Sequence, residues 1–146
     1  MAGIIFNRNI AREAHLQLHR NIDHGIQCFT FTPSGGWLII TKDNRMISHN
    51  IPDECEERIK QYQEEGHKVE WVAFSARNNN SWSIITDRTF FNRNLPDGCH
   101  DTMLEFGGQN IKKVVFNPRN IDSWVIFHKD DFVAQNIPAD ALTSMR

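Results

Sequence analysis

The chain has 146 residues, of which 40% are hydrophobic and 23% charged, and its formal net charge is −2. This length fits one compact domain with its own core and is too short for two ordinary domains. Basic and acidic residues number 16 and 18, so no overall positive field favours nucleic-acid binding.

The first residues lack the apolar run that a signal peptide or a membrane span requires, because Asn7 and Arg8 interrupt it. Three cysteines, Cys28, Cys55 and Cys99, lie far apart in the sequence. Their odd number and wide spacing fit reduced thiols better than a disulfide framework. We therefore expect a cytoplasmic protein without a membrane anchor.

A unit of about 42 residues recurs along the chain, a period that is typical of repeat architectures. Each copy has a phenylalanine that ends one apolar stretch, a tryptophan that begins the next, and then an Asn-Ile-Pro or Asn-Leu-Pro tripeptide. These markers are Phe31, Phe74, Phe116, Trp37, Trp82, Trp124, Asn50, Asn94 and Asn136. They divide the chain into a half unit at 1–25 and full units at 26–66, 67–108 and 109–146.

Each full unit predicts three strands followed by a helix. The stretch from Val69 to Phe74 alternates with period two, which is typical of a half-buried strand. The isoleucine-rich stretch after each tryptophan predicts a second strand that is buried on both faces. Polar turns at 42–45, 87–89 and 129–131 then lead to a third strand, and such short links favour antiparallel neighbours.

The Asn-Ile-Pro element predicts the start of each helix. An asparagine side chain can accept hydrogen bonds from the free amides of the first turn, and a proline there loses no helical hydrogen bond. The second helix is expected to end at Gly66, since glycine tolerates the left-handed conformation. The other helices are expected at 11–23, at 96–106 and from 138 onwards.

A unit of three strands and one helix cannot bury both faces of its sheet alone, so neighbouring units must complete the core. We therefore expect an α/β (α+β) repeat fold, with three and a half βββα units in a propeller-like toroid or a short solenoid. The unit size and content are similar in architecture to pentein-type α/β propellers, whose catalytic motifs have no match here. A ring completed by a second chain would make the protein a homo-oligomer.

The Ile-Pro, Gly-X-X-Ile, Phe-X-Pro and Trp-X-Ile-Ile markers resemble tandem tryptophan-containing repeats of bacterial multidomain proteins. The resemblance spans essentially the whole chain and implies no particular activity.

The repeated tryptophans are the first candidate binding residues. Trp37, Trp82 and Trp124 each follow a polar loop, where they could stack on sugar rings or another planar ligand. The alternative is that every unit needs a tryptophan to pack against its neighbour. Trp71 has no counterpart in the other units and is predicted to be a surface aromatic.

Polar residues near the helix starts form a second candidate set. Asn50, Asn94 and Asn136 could bind the hydroxyls or amides of a ligand, although helix capping also explains their recurrence. Arg93 precedes one of them and is the cationic member of the set.

Cys99, His100 and Asp101 are the residue types of a thiol nucleophile, its base and an orienting acid. Adjacent residues on one helix point about 100° apart, and Cys55 holds the equivalent position of the preceding unit, so packing is the alternative. His15 and His19 have the spacing of two metal ligands, but no third ligand accompanies them. The pattern predicts no metal and no cofactor.

These patterns favour a non-enzymatic binding module. Its Trp-bearing and polar loops would contact a protein, or a glycan as in a lectin. Two alternatives stay open: a pentein-like enzyme with Cys99 as its nucleophile, and a structural subunit that assembles through exposed strand edges.

Overall fold

The structure, a computed structural model, describes residues 12–78, 80–129 and 131–135. The predicted N-terminal strand, the helix from 138 onwards and Asn136 lie outside these residues. The described part contains three α-helices, one 3-10 turn at Ile22–His24, and nine strands. The helices are α1 (Arg12–Asn21), α2 (Asp53–Glu64) and α3 (Cys99–Phe106). The strands are β1 (Ile26–Phe31), β2 (Trp37–Thr41), β3 (Met46–His49), β4 (Val69–Phe74), β5 (Trp82–Thr86), β6 (Phe90–Arg93), β7 (Ile111–Phe116), β8 (Trp124–His128) and β9 (Phe132–Gln135).

The strands form three separate antiparallel sheets of three strands each. We name them the first sheet (β1, β2, β3), the second sheet (β4, β5, β6) and the third sheet (β7, β8, β9). In each sheet the phenylalanine that ends the first strand pairs with the tryptophan that begins the second. These pairs are Phe31 with Trp37, Phe74 with Trp82, and Phe116 with Trp124. The α/β class with three similar sheets, which the repeat predicts, is confirmed.

The middle strands are buried as the sequence predicts. Every residue of β2 and β5 is buried, and the first three residues of β8 are too. The first strands alternate instead: Val72 and Phe74 face the core on the first-sheet side, while Ala73 faces the third sheet.

Each helix packs on the tryptophan-bearing face of the sheet that follows it in the chain. α1 contacts the first sheet through Ala14 and Leu18. α2 lies between the first and second sheets with Cys55 and Ile59, and α3 lies between the second and third with Cys99 and Met103. The units therefore share their cores, as the limited burial within a single βββα unit requires.

The first strands of successive units lie side by side, β1 against β4 and β4 against β7. Side chains join them. The Cys28 thiol donates to the Val72 carbonyl at 3.4 Å, and the Trp71 indole nitrogen donates to the Val114 carbonyl at 2.8 Å. Cys28 and Trp71 hold the same place in their units, so the two junctions are equivalent. β1 and β7 do not pack together in this way, and the described residues form an open arc without a closed barrel or propeller.

The expected helix starts need correction. α3 begins at Cys99 and not at Pro96, and neither α2 nor α3 has a side-chain cap. Asn50 and Asn94 have φ values of 55° and 51°, in the left-handed region. Asparagine tolerates this region better than most residues, because its short side chain forms local hydrogen bonds. The capping role expected for these two asparagines is therefore wrong: they turn the chain between the third strand and the helix.

The end of α2 agrees with the sequence, since Gly66 follows it with a φ of 85°. α1 ends at Asn21, and the remaining expected helical residues form the 3-10 turn. None of the described helices has the length and apolar character needed to span a bilayer.

Candidate functional site

The three first strands end together at one cavity, which we call the mouth. Its lining comprises residues 31–33 at the end of β1, residues 74–76 at the end of β4, and Phe116 with Pro118 at the end of β7. The cavity has a volume of about 380 Å³. Small-molecule and side-chain pockets are commonly concave and of this size.

Equivalent positions of the three units supply this lining. The phenylalanines Phe31, Phe74 and Phe116 hold the last position of each first strand, and the residues after them supply two prolines and an alanine. Phe31 is 44% exposed, Phe116 is half-buried, and Phe74 is 9% exposed because it also packs into the shared core. Two of the three rings therefore offer surface to a ligand.

The two side-chain hydroxyls of the mouth are already engaged by the protein. The Thr32 hydroxyl accepts a hydrogen bond from the Gly36 amide at 2.8 Å. The Ser75 hydroxyl lies 2.5 Å from that of Ser81. Both Thr32 and Ser75 are buried, and no ionisable residue is part of the lining. The mouth is therefore suited to an uncharged group.

A close backbone approach shapes the loop after β1. The Gly36 nitrogen lies beside Thr32, and a Cβ at Gly36 would stand 2.2 Å from the Asn50 carbonyl oxygen. Only glycine fits there, because that distance is far below van der Waals contact with a backbone atom. The turn beside the mouth is thus held against the chain that leaves β3.

The repeated tryptophans are placed in the cores. Trp37, Trp82 and Trp124 are 2%, 0% and 2% exposed. The Trp82 indole donates to Asn80 Oδ1 at 3.3 Å, and the Trp124 indole donates to the Asp97 carbonyl at 3.4 Å. Their rings contact helix and sheet side chains, so none of them lines the mouth.

Trp71 is half-buried at the junction of β4 and β7. Its nitrogen is bound to Val114, and the Lys113 ammonium lies 5.6 Å from its ring centre. This placement makes Trp71 part of the contact between units.

The other polar candidates lie apart from the mouth. Asn50 lines a separate shallow depression, and the Asn94 side-chain amide donates to the Asn80 carbonyl at 3.1 Å. Arg93 forms a bidentate ion pair with Glu54, with distances of 2.5 and 2.6 Å. None of these three residues lines the mouth.

Cys99 is fully buried, and burial raises the pKa of its thiol to about 12. A thiol with that pKa is protonated at neutral pH and is a poor nucleophile. His100 points elsewhere, with its Nδ1 3.0 Å from Asn92 Nδ2. These observations favour the packing interpretation of Cys99.

His15 and His19 stack with ring centres 5.5 Å apart on α1. Within the described ranges, no three His, Cys, Asp or Glu side chains lie close enough together to hold a metal ion.

The charged turns lie at the end of the sheets opposite the mouth. Each follows a second strand, which runs antiparallel to its first strand, and each contacts the chain entering a first strand. There the His24 Nδ1 lies 3.3 Å from Asp43 Oδ2, and Asp130 falls outside the described residues. The lining of the mouth therefore lacks the ionisable side chains that these turns carry.

The mouth was not predicted from the sequence, although its three phenylalanines are repeat markers. Phe31, Phe74 and Phe116 were interpreted only as strand ends. The available signal was their recurrence in register, with Pro33 and Pro118 following two of them. A repeated residue at a strand end is brought to a common point wherever the units share an axis.

The comparisons with known proteins identify no relative. No family model matches the chain, and no curated protein or solved structure matches it either.

Proposed function

We propose that the chain is a non-enzymatic binding module whose mouth receives an apolar side chain of a protein partner. The observation that carries this proposal is the convergence of three equivalent strand ends on one uncharged cavity. Repeat proteins commonly bind along the surface where equivalent positions meet.

The chemistry of the lining favours a protein over a glycan. Sugar hydroxyls require free hydrogen-bonding groups, whereas the Thr32 and Ser75 hydroxyls already have partners. The half-buried ring of Phe116 and the ring of Pro118 suit an aromatic or aliphatic side chain. Glycan binding is therefore the weaker form of the same proposal.

We extend this to the fold and the location: the arc belongs to a propeller-like toroid with the mouth at its axis, in a cytoplasmic protein. The adjacent first strands and their repeated junctions support the toroid. Three unpaired, buried thiols are consistent with a reducing compartment.

The test is selection of phage-displayed peptides on the protein, with a glycan array probed in parallel. We expect peptides with a shared aromatic or aliphatic residue, and at least a tenfold loss of affinity, about 1.4 kcal/mol, in Phe116→Ala. Leu104→Ala is the matched control, since Leu104 is 57% exposed on α3 and away from the mouth. Peptides whose affinity is unchanged by Phe116→Ala, or binding to glycans alone, would refute the proposal.

A further inference from the structure

The contact between neighbouring first strands occurs twice within the chain, between β1 and β4 and between β4 and β7. The outer sides of β1 and β7 carry the two complementary halves of this contact. The middle strand β4 shows both halves at once, because β1 lies on one side of it and β7 on the other. Among the described residues, β1 has no first strand before it and β7 has none after it. A comparison of equivalent residues on β1, β4 and β7 therefore shows which side chains lose burial when the neighbouring first strand is missing.

The side of β7 that faces away from the second sheet exposes an apolar residue. Val115 is equivalent to Ala73, which is 7% exposed because it packs into the core shared with the third sheet. Val115 itself is 42% exposed. The third sheet thus presents outward a position that is buried at an internal junction.

The side of β1 that faces away from the second sheet exposes the other half of the junction. Phe31 is equivalent to Phe74, which is 9% exposed because it packs into the core shared with the first sheet. Phe31 itself is 44% exposed and packs edge-on against Phe29, with ring centres 4.9 Å apart. Among the described residues, the core beneath them, around Trp37, is built from α1 and the first sheet.

The hydrogen bonds between units follow the same rule. At each internal junction a side chain donates to a carbonyl of the next first strand: Cys28 to Val72 and Trp71 to Val114. Lys113 holds the equivalent position on β7. Its ammonium lies 4.8 Å from the Phe127 ring centre and 5.6 Å from that of Trp71, so it must turn away from these rings to reach a second copy. The carbonyl of Phe29 on β1 is equivalent to the two acceptors.

From these equivalences we infer that two copies of the chain join head to tail, with β7 of one copy beside β1 of the other. Val115 of one copy covers the side of the first sheet that bears Phe31, and the Lys113 ammonium donates to the Phe29 carbonyl of the second copy. A second copy is the occupant that the chain itself specifies, because its internal junctions are made of these positions. The surfaces are different on the two copies, so the contact is heterologous.

Light scattering and native mass spectrometry test this inference with two charged variants. We expect the wild-type protein to contain at least two chains, and Val115→Glu and Phe31→Glu each to give single chains. Ile121→Glu is the control and should leave the mass unchanged. Ile121 is 48% exposed on the loop between β7 and β8, where it lies beside Arg77 and Pro96 of the second unit. Both variant positions are already exposed, and unchanged circular dichroism establishes that the variants fold.

Mixing the two variants decides the geometry. A head-to-tail contact leaves one intact junction in a mixed pair, between Val115 of one variant and Phe31 of the other. We therefore expect the equimolar mixture to regain a two-chain species that neither variant forms alone. Lys113→Met, which retains Val115, should weaken wild-type association about tenfold. A wild-type mass of one chain, an unchanged mass for Val115→Glu, or a mixture without the two-chain species would overturn the inference.

Discussion

The indole nitrogen of Trp71 donates a 2.8 Å hydrogen bond to the Val114 carbonyl, 43 residues further along the chain. The bond joins β4 to β7 across the boundary between two units. It resembles the contact of Cys28 with Val72 one unit earlier, although the two donors differ in chemistry. The two junctions thus have a backbone acceptor at the same position but different side chains as donors.

Replacing Trp71 with phenylalanine should lower the free energy of unfolding by about 1–3 kcal/mol, because the Val114 carbonyl would lose its donor. The phenyl ring keeps much of the apolar contact beside Lys113. Urea denaturation followed by circular dichroism measures the change. A stability equal to that of the wild type would mean that this bond contributes nothing to the junction.

The three cysteines should resist thiol reagents in the folded protein. Burial raises the pKa of Cys28 to about 11 and that of Cys99 to about 12, and it also raises the pKa of Cys55. Ellman's reagent at pH 8 should therefore react slowly with the native protein and quickly in urea. An Ile121→Cys variant, with an exposed thiol, supplies the fast native reference. Rapid native modification of Cys99 would restore the enzyme alternative.

Gly36→Ala should destabilise the protein by about 3 kcal/mol, since the new methyl group would meet the Asn50 carbonyl oxygen at 2.2 Å. Gly35→Ala is the matched control on the same turn. Gly35 has open space around it, so only its φ of 89° opposes the change, at a cost of about 1 kcal/mol. Thermal or urea unfolding compares the two, and equal losses would show that the close approach at Gly36 is not limiting.

A hydrogen bond from the Thr41 hydroxyl is the main cause that holds the pKa of Asp43 below its usual value. A carboxyl with a depressed folded pKa stabilises the protein above its unfolded pKa, and this stabilisation is lost as the pH falls through the folded pKa. Thr41→Val should therefore raise the pKa of Asp43 in an NMR titration and reduce the loss of stability in acid.

Thr86→Val is the control for that titration, since Thr86 holds the same place in the second unit and bonds to the Thr89 carbonyl instead. It should leave the Asp43 pKa unchanged. If Thr41→Val also leaves it unchanged, the hydroxyl is not the cause of the shift.

Much of the fold follows from local patterns. The alternation in Val69–Phe74, the isoleucine-rich stretches and the short polar turns predict three-stranded antiparallel units, and the structure has one such sheet in each full unit. The marker residues even agree with the register, because Phe31 pairs with Trp37 as its equivalents do. Interactions within 15 residues or so determine these features, and a period of 2 is visible in the sequence itself.

The roles predicted for individual residues agree less well with the structure. The asparagines before the helices were expected to cap them, yet Asn50 and Asn94 adopt left-handed turns. A short polar residue before a helix suits both roles, and the path of the chain between strand and helix decides which one is adopted.

The sequence by itself determined the repeat, the strands of each unit and the need for neighbouring units to complete the core. Only the tertiary structure decided that Phe31, Phe74 and Phe116 meet at one mouth, that the tryptophans lie inside, and that Val115 and Phe31 are left exposed at opposite ends of the arc. The physical reason is the separation in sequence between the residues that interact. Hydrophobic periodicity records which side of a strand faces a core, whereas the contacts between β1, β4 and β7 join residues a whole unit apart and determine which surfaces meet.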